Sequence, residues 1–407
     1  MRVVIICKYA RDKTDGQATR HYFFAKHLVK LGHSVLLIKS RSNLSKHTKS
    51  FFGLYQKTKE GNLEIITING PIINSGFSAK RIFTWLQFEW RLFRISKFVR
   101  NWKPTHIIVS SLSLITGLTG IRLKRKLSIS LIFEVRDIYP LTLVELGKLN
   151  PNNILVKILS WIEHHVCKNS DALISTLENF DKYLREILPN SKPCHWIPSG
   201  YENDWYDSKI NEETATYKKI QKLKSLDKFI IAYAGTIGLA NQLSTILDSA
   251  RVLEKTHPNI HFVMIGEGPE KQKLESQYPL SNISFLESVP KEQLPLYLSL
   301  CDVLIHSWKK SSLYRFGISP NKWNEYMYSA RPMILAHDYT SRIFNQANCG
   351  WQVPAEDTDA MVQKIIEVME LNKKEISQLG QNGKRYLEEN LSYQQHTQTL
   401  IDIINKK

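Results

Sequence analysis

The chain is predicted to fold as two α/β domains, each an open, doubly wound sheet of mostly parallel strands with helices on its faces. Three observations predict this. Short β-branched runs alternate with longer helical patterns through the first 199 residues. The same alternation restarts at Phe229 after a polar, Lys- and Glu-rich stretch, Tyr201 to Asp227. In both halves the first strand runs into a polar or glycine-bearing loop, the place where such sheets meet their ligands.

In the first half Val3–Cys7 reads as strand one, followed by the loop Lys8–Gly16 and a helix over about 17–30 that Gly32 stops. Further strands are expected at Ser34–Ile38, Leu63–Ile68, His106–Val109, Leu131–Val135, Ala172–Thr176 and His195–Pro198, with helices over about 79–101, 151–169 and 178–187. Tyr201 to Asp227 reads as an interdomain connection. The second half has strands at Phe229–Ala234, His261–Ile265, Asn282–Phe285, Val303–His306, Pro332–Leu335 and Gly350–Val353. Its helices run over about 243–254, 357–371, 374–390 and 393–405. The expected boundaries are an N-terminal domain over 1–199, a C-terminal domain over 200–390, and a last helix within 391–407 that packs back toward the first domain. The carboxyl ends of the two sheets are expected to face one another across a cleft that holds the active site.

At 407 residues, with 43% apolar and 23% charged residues, the chain has the composition of a globular protein with a sizeable core. A disordered or fibrous chain is excluded. The longest uncharged stretch, Pro104 to Ile121, is broken by Ser, Thr and Gly and is too polar for a bilayer span. Five scattered cysteines without a Cys-x-x-Cys spacing argue against a disulfide framework or a zinc knuckle, and a reducing cytoplasm fits them.

The net charge of +17 is unevenly placed. Residues 1–200 hold 31 Lys and Arg against 13 Asp and Glu, a net +18, whereas residues 201–407 hold 24 against 25, a net −1. A first half this basic attracts polyanions, either nucleic acid or the anionic leaflet of a membrane, where each Lys or Arg contributes on the order of 1 kcal/mol. The stretch Ser78 to Trp102 interleaves aromatic and basic residues as a membrane interface does, which makes Arg81, Trp85, Trp90, Arg91, Arg94 and Lys97 candidate membrane-facing residues. Burial between domain layers is the alternative, because positions 91, 94, 97 and 100 drift around a helix. No nucleic-acid-binding motif accompanies the pattern, so no nucleic acid is expected as partner.

The sharpest local signal is Phe316-Gly317-Ile318-Ser319-Pro320-Asn321-Lys322-Trp323-Asn324-Glu325-Tyr326-Met327. Ser319 is a good N-cap and Pro320 suits the first helical position. The helix start offers free N–H groups, and Lys322 adds a full charge for a phosphate. Glu325, three residues on, brings a carboxylate for sugar hydroxyls to nearly the same face. The plainer alternative is a capped helix with a surface Lys–Glu pair. Gly235-Thr236-Ile237-Gly238 and Gly266-Glu267-Gly268 follow strands and let backbone approach a nucleotide, although neither is a full dinucleotide or Walker loop. Asp15-Gly16-Gln17 is a third such turn. Arg136 and Asp137, at a strand's carboxyl end, are candidate catalytic residues, Asp137 to accept a proton or steady a positive sugar centre; a structural Arg–Asp pair is the alternative. Asp357 reads as a helix cap, and no metal-ligand spacing is present.

With Glu134–Pro140 and Ile197-Pro198-Ser199-Gly200, the Ser319–Met327 segment resembles glycosyltransferase family 4, and within it the bacterial transferases of O-antigen, capsule and lipopolysaccharide polysaccharide biosynthesis. The resemblance runs in order through Gly16, Arg136-Asp137, Ile197–Gly200, Gly235, Gly266-Glu267-Gly268 and Lys322–Glu325. It implies a GT-B fold, with acceptor held by the first domain and a nucleotide-sugar co-substrate by the second. It implies retention of configuration, with no cofactor and no metal. It assigns the donor ribose to Glu325, the diphosphate to Lys322 and the helix start at Asn321, a further donor contact to Gly16 and the reacting centre to Asp137; beside these, Gly235, Thr236, Gly266, Glu267 and Ser319 are candidate donor contacts by their place in the turns, and Arg136 a candidate catalytic residue by its place beside Asp137.

Two departures stand out. Gly317 occupies the place of the first of two motif glutamates, and Thr236 with Asn241-Gln242 stands where an Arg and a Lys are usual. The implied function is transfer of a sugar from a UDP-sugar to a polyprenyl-diphosphate-linked saccharide, by a cytoplasmic enzyme peripheral on the anionic inner face of the cell membrane. A UDP-sugar epimerase of the same fold and a catalytically silent subunit are the alternatives.

Overall fold

The alternation in the first half builds one sheet. The computed structural model describes residues 1–13, 19–43, 51–72, 79–111, 113–206 and 209–406. Its first eight strands are β1 (Arg2–Ile6), β2 (Ser34–Ser40), β3 (Tyr55–Glu60), β4 (Leu63–Ile68), β5 (His106–Ser110), β6 (Ser130–Val135), β7 (Ala172–Ser175) and β8 (Cys194–Trp196). They lie in the order β3-β4-β2-β1-β5-β6-β7-β8, all parallel except β3, which runs antiparallel to β4. The central strands are mostly apolar and buried along nearly all of their length, as a parallel sheet covered on both faces requires. β3 was not legible because it is an edge strand, Tyr-Gln-Lys-Thr-Lys-Glu, with five of its six residues exposed and no alternation to read.

Helices α1 (Arg20–Lys30), α2 (Ala79–Arg94), α3 (Ser96–Asn101), α4 (Leu114–Leu127), α5 (Leu141–Glu145), α6 (Ile154–Asn169) and α7 (Phe180–Ile187) connect these strands. The single helix expected over 79–101 is two, parted at the buried Ile95. α4 was missed altogether. Its first turns are rich in Thr and Gly, poor helix formers, and packing overrides propensity there because Gly117 and Gly120 lie directly against Val166 and against Val109 and Leu131.

The second half forms a separate, wholly parallel sheet of β9 (Phe229–Ala234), β10 (Ile260–Ile265), β11 (Ile283–Leu286), β12 (Val303–Ser307), β13 (Met333–Ala336) and β14 (Gly350–Val353), in the order β11-β10-β9-β12-β13-β14. The stretch expected to be a connection contains α8 (Ala215–Ser225), whose first turn Thr214 caps by accepting from the Tyr217 amide at 3.1 Å. Then follow α9 (Leu243–Thr256), α10 (Lys271–Gln277), α11 (Leu294–Leu298), α12 (Asn321–Tyr328), α13 (Arg342–Ala347), α14 (Thr358–Met369) and α15 (Lys373–Asn390). Asp357 does cap α14, accepting from the Ala360 amide at 2.8 Å.

Two compact units result, one of residues 1–199, 315–319 and 393–407, the other of 200–314 and 320–392. The last helix, α16 (Tyr393–Asn405), packs on α1, where Tyr393 stacks on Phe23 with ring centroids 4.9 Å apart. Strand order reverses between β1 and β5 in the first sheet and between β9 and β12 in the second. At such a reversal neighbouring connections leave in opposite directions and open a crevice at the carboxyl ends of the strands.

Candidate functional site

In the second unit that crevice is built by β9, β12 and the start of α12. Lys322, in the first turn of α12, extends to the ends of both strands. Its Nζ donates to Tyr233 Oη, Asn241 Oδ1 and His306 Nε2, each at 3.1 Å. Three donors meet three neutral acceptors, and among the described residues no carboxylate lies within ion-pair distance of this ammonium. Partial burial brings its pKa down to about 7, with the Glu325 charge working in the opposite direction. His306 is held well below its usual value, first by burial and then by the Lys322 charge, so the ring is neutral. With Nε2 as acceptor its proton sits on Nδ1, a buried atom without a partner among the described residues.

The surrounding bonds fix this cation in place. Tyr233 Oη and Asn241 Nδ2 donate to the Thr236 carbonyl at 2.7 and 2.8 Å, and Ser307 Oγ donates to the Asn241 carbonyl at 2.6 Å. Tyr326, one turn beyond Lys322, accepts from the Ala234 amide at 2.8 Å and ties α12 to β9. Gly235 has φ +150°, and a Cβ there would come within 2.8 Å of Lys322 Nζ, so any side chain would displace the ammonium. Gly266 packs against the Gly235 carbonyl, where a Cβ would approach to 2.0 Å. Gly235 therefore presents bare backbone to Lys322, and Gly266 packs directly against that backbone.

Glu325 is 5% exposed and pairs through Oε1 with Lys291 Nζ at 3.0 Å. Asn321 is exposed at the first helical position of α12. Thr236 is exposed too, and contributes its carbonyl rather than its hydroxyl to the cluster. The Glu267 carboxylate is exposed and pairs with Lys271 at 2.7 Å. Ser319 differs from the N-cap expected of it. Its hydroxyl accepts from the Ser199 amide at 3.1 Å and donates to Ser199 Oγ at 3.0 Å, so it does not cap α12, and Pro320 occupies the cap position. Gly16 lies outside the described residues.

Tyr233, His306 and Lys291 were not singled out from sequence. A signal was present for the first two, each a polar penultimate residue that follows an apolar run in a parallel strand. Lys291 carried none, since its contact with Glu325 is made only in the fold.

In the first unit, Glu134 on β6 is 1% exposed and accepts from Arg20 Nε at 2.7 Å, with His21 Nε2 at 2.5 Å. Burial would raise this carboxyl, but His21 and Arg20 hold it well below the usual range. Burial likewise works against a charged His21, yet Cys7 and Glu134 raise it to about 9. Arg20 also donates to the carbonyls of Pro198 and Ile197. The network binds α1, β6 and the segment after β8 into one piece, with Glu134 two residues before Arg136. Arg136 is half-buried, with its amide donating to Ser111 Oγ at 2.9 Å, and Asp137 is exposed. They sit at the end of β6 as expected from sequence.

Gly317 belongs to this unit and has φ +102°, with the place of a Cβ only 2.7 Å from the Glu178 amide nitrogen. The backbone here excludes a side chain, so the missing motif glutamate is a property of the turn. Restoring it with Gly317→Glu is expected to lower unfolding free energy by about 1–3 kcal/mol and leave donor affinity no better. Thermal denaturation and calorimetry on the variant check both.

The aromatic and basic helix turns out two-sided. Trp85 is buried, contrary to expectation, and its indole N–H donates to Tyr9 Oη at 2.7 Å. Arg91 is half-buried rather than outward. Trp90, Arg94 and Lys97 are exposed, with the Arg94 guanidinium 5.6 Å from the Trp90 ring centroid. The backbone of Arg81 lies in α2, and its side chain lies outside the described residues. Among the described residues no three His, Cys, Asp or Glu side chains converge on a metal position, and no helix is long and apolar enough to cross a membrane.

Residues 216–386 match the family model described as Glycosyl transferases group 1, which places Lys322, Glu325 and both glycine turns within the matched segment. The chain is 22% identical over 282 residues to a probable glycosyltransferase, WbjE, of Pseudomonas aeruginosa, a match that spans 66% of each chain. Among solved structures it is similar to sucrose-phosphate synthase from Thermosynechococcus elongatus, with a TM-score of 0.75 at 14% identity over 100% of this chain and 98% of that one. It is also similar to HepE of Anabaena in complex with UDP and glucose, with a TM-score of 0.68 at 10% identity over the whole of both chains. The chain thus has the α/β GT-B fold of two Rossmann-like domains, and its second unit carries a glycosyl transferases group 1 domain.

Proposed function

We propose that the protein is a retaining glycosyltransferase that takes a sugar from a UDP-sugar and places it on a polyprenyl-diphosphate-linked saccharide during assembly of a surface polysaccharide, working without a metal at the inner face of the cell membrane. The observation that carries the donor half is Lys322. A half-buried ammonium with three neutral acceptors and no carboxylate within ion-pair distance among the described residues suits an anion supplied by the ligand, and the glycine turns leave room for a diphosphate to reach it. Glu325, one turn on, offers an acceptor for ribose hydroxyls, and Lys291 holds that carboxylate in place. The group 1 domain and the UDP named in the HepE structure support the choice of nucleotide. WbjE supports the transfer reaction.

In this reading Asp137 faces the reacting centre and Arg136 steadies the charge that develops there. The diphosphate, once its bond to the anomeric carbon weakens, takes the proton of the attacking hydroxyl on the same face, with Lys322 stabilising the departing charge.

The test is turnover of purified enzyme with UDP-, GDP- and ADP-sugars against polyprenyl-diphosphate saccharides, followed by mass spectrometry of the lipid product and by the proton spectrum of the new linkage. Transfer from a UDP-sugar with the anomeric configuration kept, abolished in Asp137→Asn, supports the reading. Conversion of the UDP-sugar without any acceptor would replace it with the epimerase.

A further inference from the structure

The outer face of the first unit presents two apolar stripes with a basic strip between them. On α2, Phe83, Leu86, Trp90 and Phe93 recur at helical spacing and are 60%, 54%, 55% and 55% exposed. On α6, Ile154, Ile158 and Trp161 do the same at 73%, 49% and 61%. Both helices pack against α4. Exposed Trp and Phe in continuous stripes are costly in water and are not required by the core, which the opposite face of each helix already supplies through Phe88, Leu92, Leu159 and Val166.

The ground between the stripes is concave and cationic. A cavity of about 150 Å³ is lined by Phe93, Lys97, Arg100, Arg122, Leu123 and Lys126. A second, of about 450 Å³, shares Arg122 and Lys126 with it and adds Leu118, Arg125 and His165, the last stacked on Trp161 at 5.2 Å. Arg122 lies over the Phe93 ring at 4.4 Å, and its Nη2 is buried without a partner among the described residues. Glu89, which feels the Arg122 charge, spends its oxygens on the hydroxyls of Thr116 and Thr119. No ion pair among the described residues neutralises Lys97, Arg100, Arg122, Arg125 or Lys126.

We infer that this strip is a binding site for the phosphate headgroups of anionic phospholipids, with the α2 and α6 stripes seated among the lipid chains on either side. Charge complementarity selects the occupant: unpaired cations flanked by exposed Trp and Phe match a bilayer interface, which is anionic at the phosphates and apolar just beneath. A protein partner of equal apolar area would need its own row of acids. The inference deepens the membrane-peripheral part of the proposed function and owes nothing to the donor site.

The experiment is sedimentation of the full chain with vesicles of phosphatidylcholine alone and of phosphatidylcholine with phosphatidylglycerol, over a salt series. Expected is binding to the second only, weakened by salt, and weakened about fivefold for each cation removed in Lys97→Ser, Arg100→Ser and Lys126→Ser. Lys97→Arg with Lys126→Arg keeps binding, Trp90→Ser with Phe93→Ser loses it, and calorimetric UDP binding is unchanged in all, which shows that the fold and donor site are intact. Equal binding to both vesicles, full binding by the cation variants, or displacement of the vesicles by a mixed-sequence oligonucleotide overturns the inference.

Discussion

Glu134→Gln is expected to lower the unfolding free energy by about 3–5 kcal/mol, because it leaves the buried charges of Arg20 and His21 without the carboxylate that compensates them. Glu134 and Arg20 are 1% and 3% exposed, so solvent offers little replacement. The loss should spread beyond stability. Arg20 holds the Ile197 and Pro198 carbonyls as well as Glu134, and Arg136 follows Glu134 by two residues, so the variant should loosen the end of β6 and the segment after β8 together. Denaturant titration gives the first number, and hydrogen exchange at residues 134–137 and 197–199 gives the second. Loss of stability without a local change in exchange would mean that the network is a core anchor with no bearing on the position of Arg136 and Asp137.

Lys322→Ala is expected to weaken UDP and UDP-sugar binding by about 1.5–3 kcal/mol, roughly ten- to a hundredfold, the worth of a hydrogen bond to a charged group. The apo variant should be no less stable than the wild type, and possession of that asymmetry is the mark of a ligand site. Removing a half-buried ammonium that no carboxylate contacts relieves desolvation in the free protein and costs mainly when an anion is present. A merely structural lysine would show the reverse, a less stable protein with unchanged affinity.

Much of this was legible in the residues. The parallel strands were, because both of their faces are buried and their sequences are continuous apolar runs such as Val3–Ile6 and Ile230–Ala232. Lys322 and Glu325 were, because a helix start with a cation and a carboxylate three apart is a local pattern. What failed to read was set by partners distant in sequence. Ser319 has every local attribute of an N-cap, yet its hydroxyl meets Ser199, 120 positions away. Lys291 reaches Glu325 only through the fold. On α2 the buried set Trp85, Phe88, Leu92 and the exposed set Phe83, Leu86, Trp90, Phe93 both follow helical spacing, so the pattern showed two apolar faces and could not say which one meets the core. Gly317 read as a lost carboxylate, and its positive φ shows why the residue is glycine.

The most direct test of the central claim, that Lys322 waits for a diphosphate, is calorimetric titration of UDP-glucose across pH in buffers of different ionisation enthalpy. This ligand's diphosphate diester has no group that titrates near neutrality. Free Lys322 has a pKa of about 7, and an anion beside it raises that value. Below pH 7 the ammonium is charged before and after binding, so affinity is flat. Above it, binding must take up a proton, and affinity falls by up to about tenfold per pH unit until the pKa of the bound state is reached. The apparent enthalpy is expected to vary with buffer at pH 8 in the wild type and to be buffer-independent in Lys322→Ala. Binding of equal strength in both proteins, with no proton uptake in either, would contradict it.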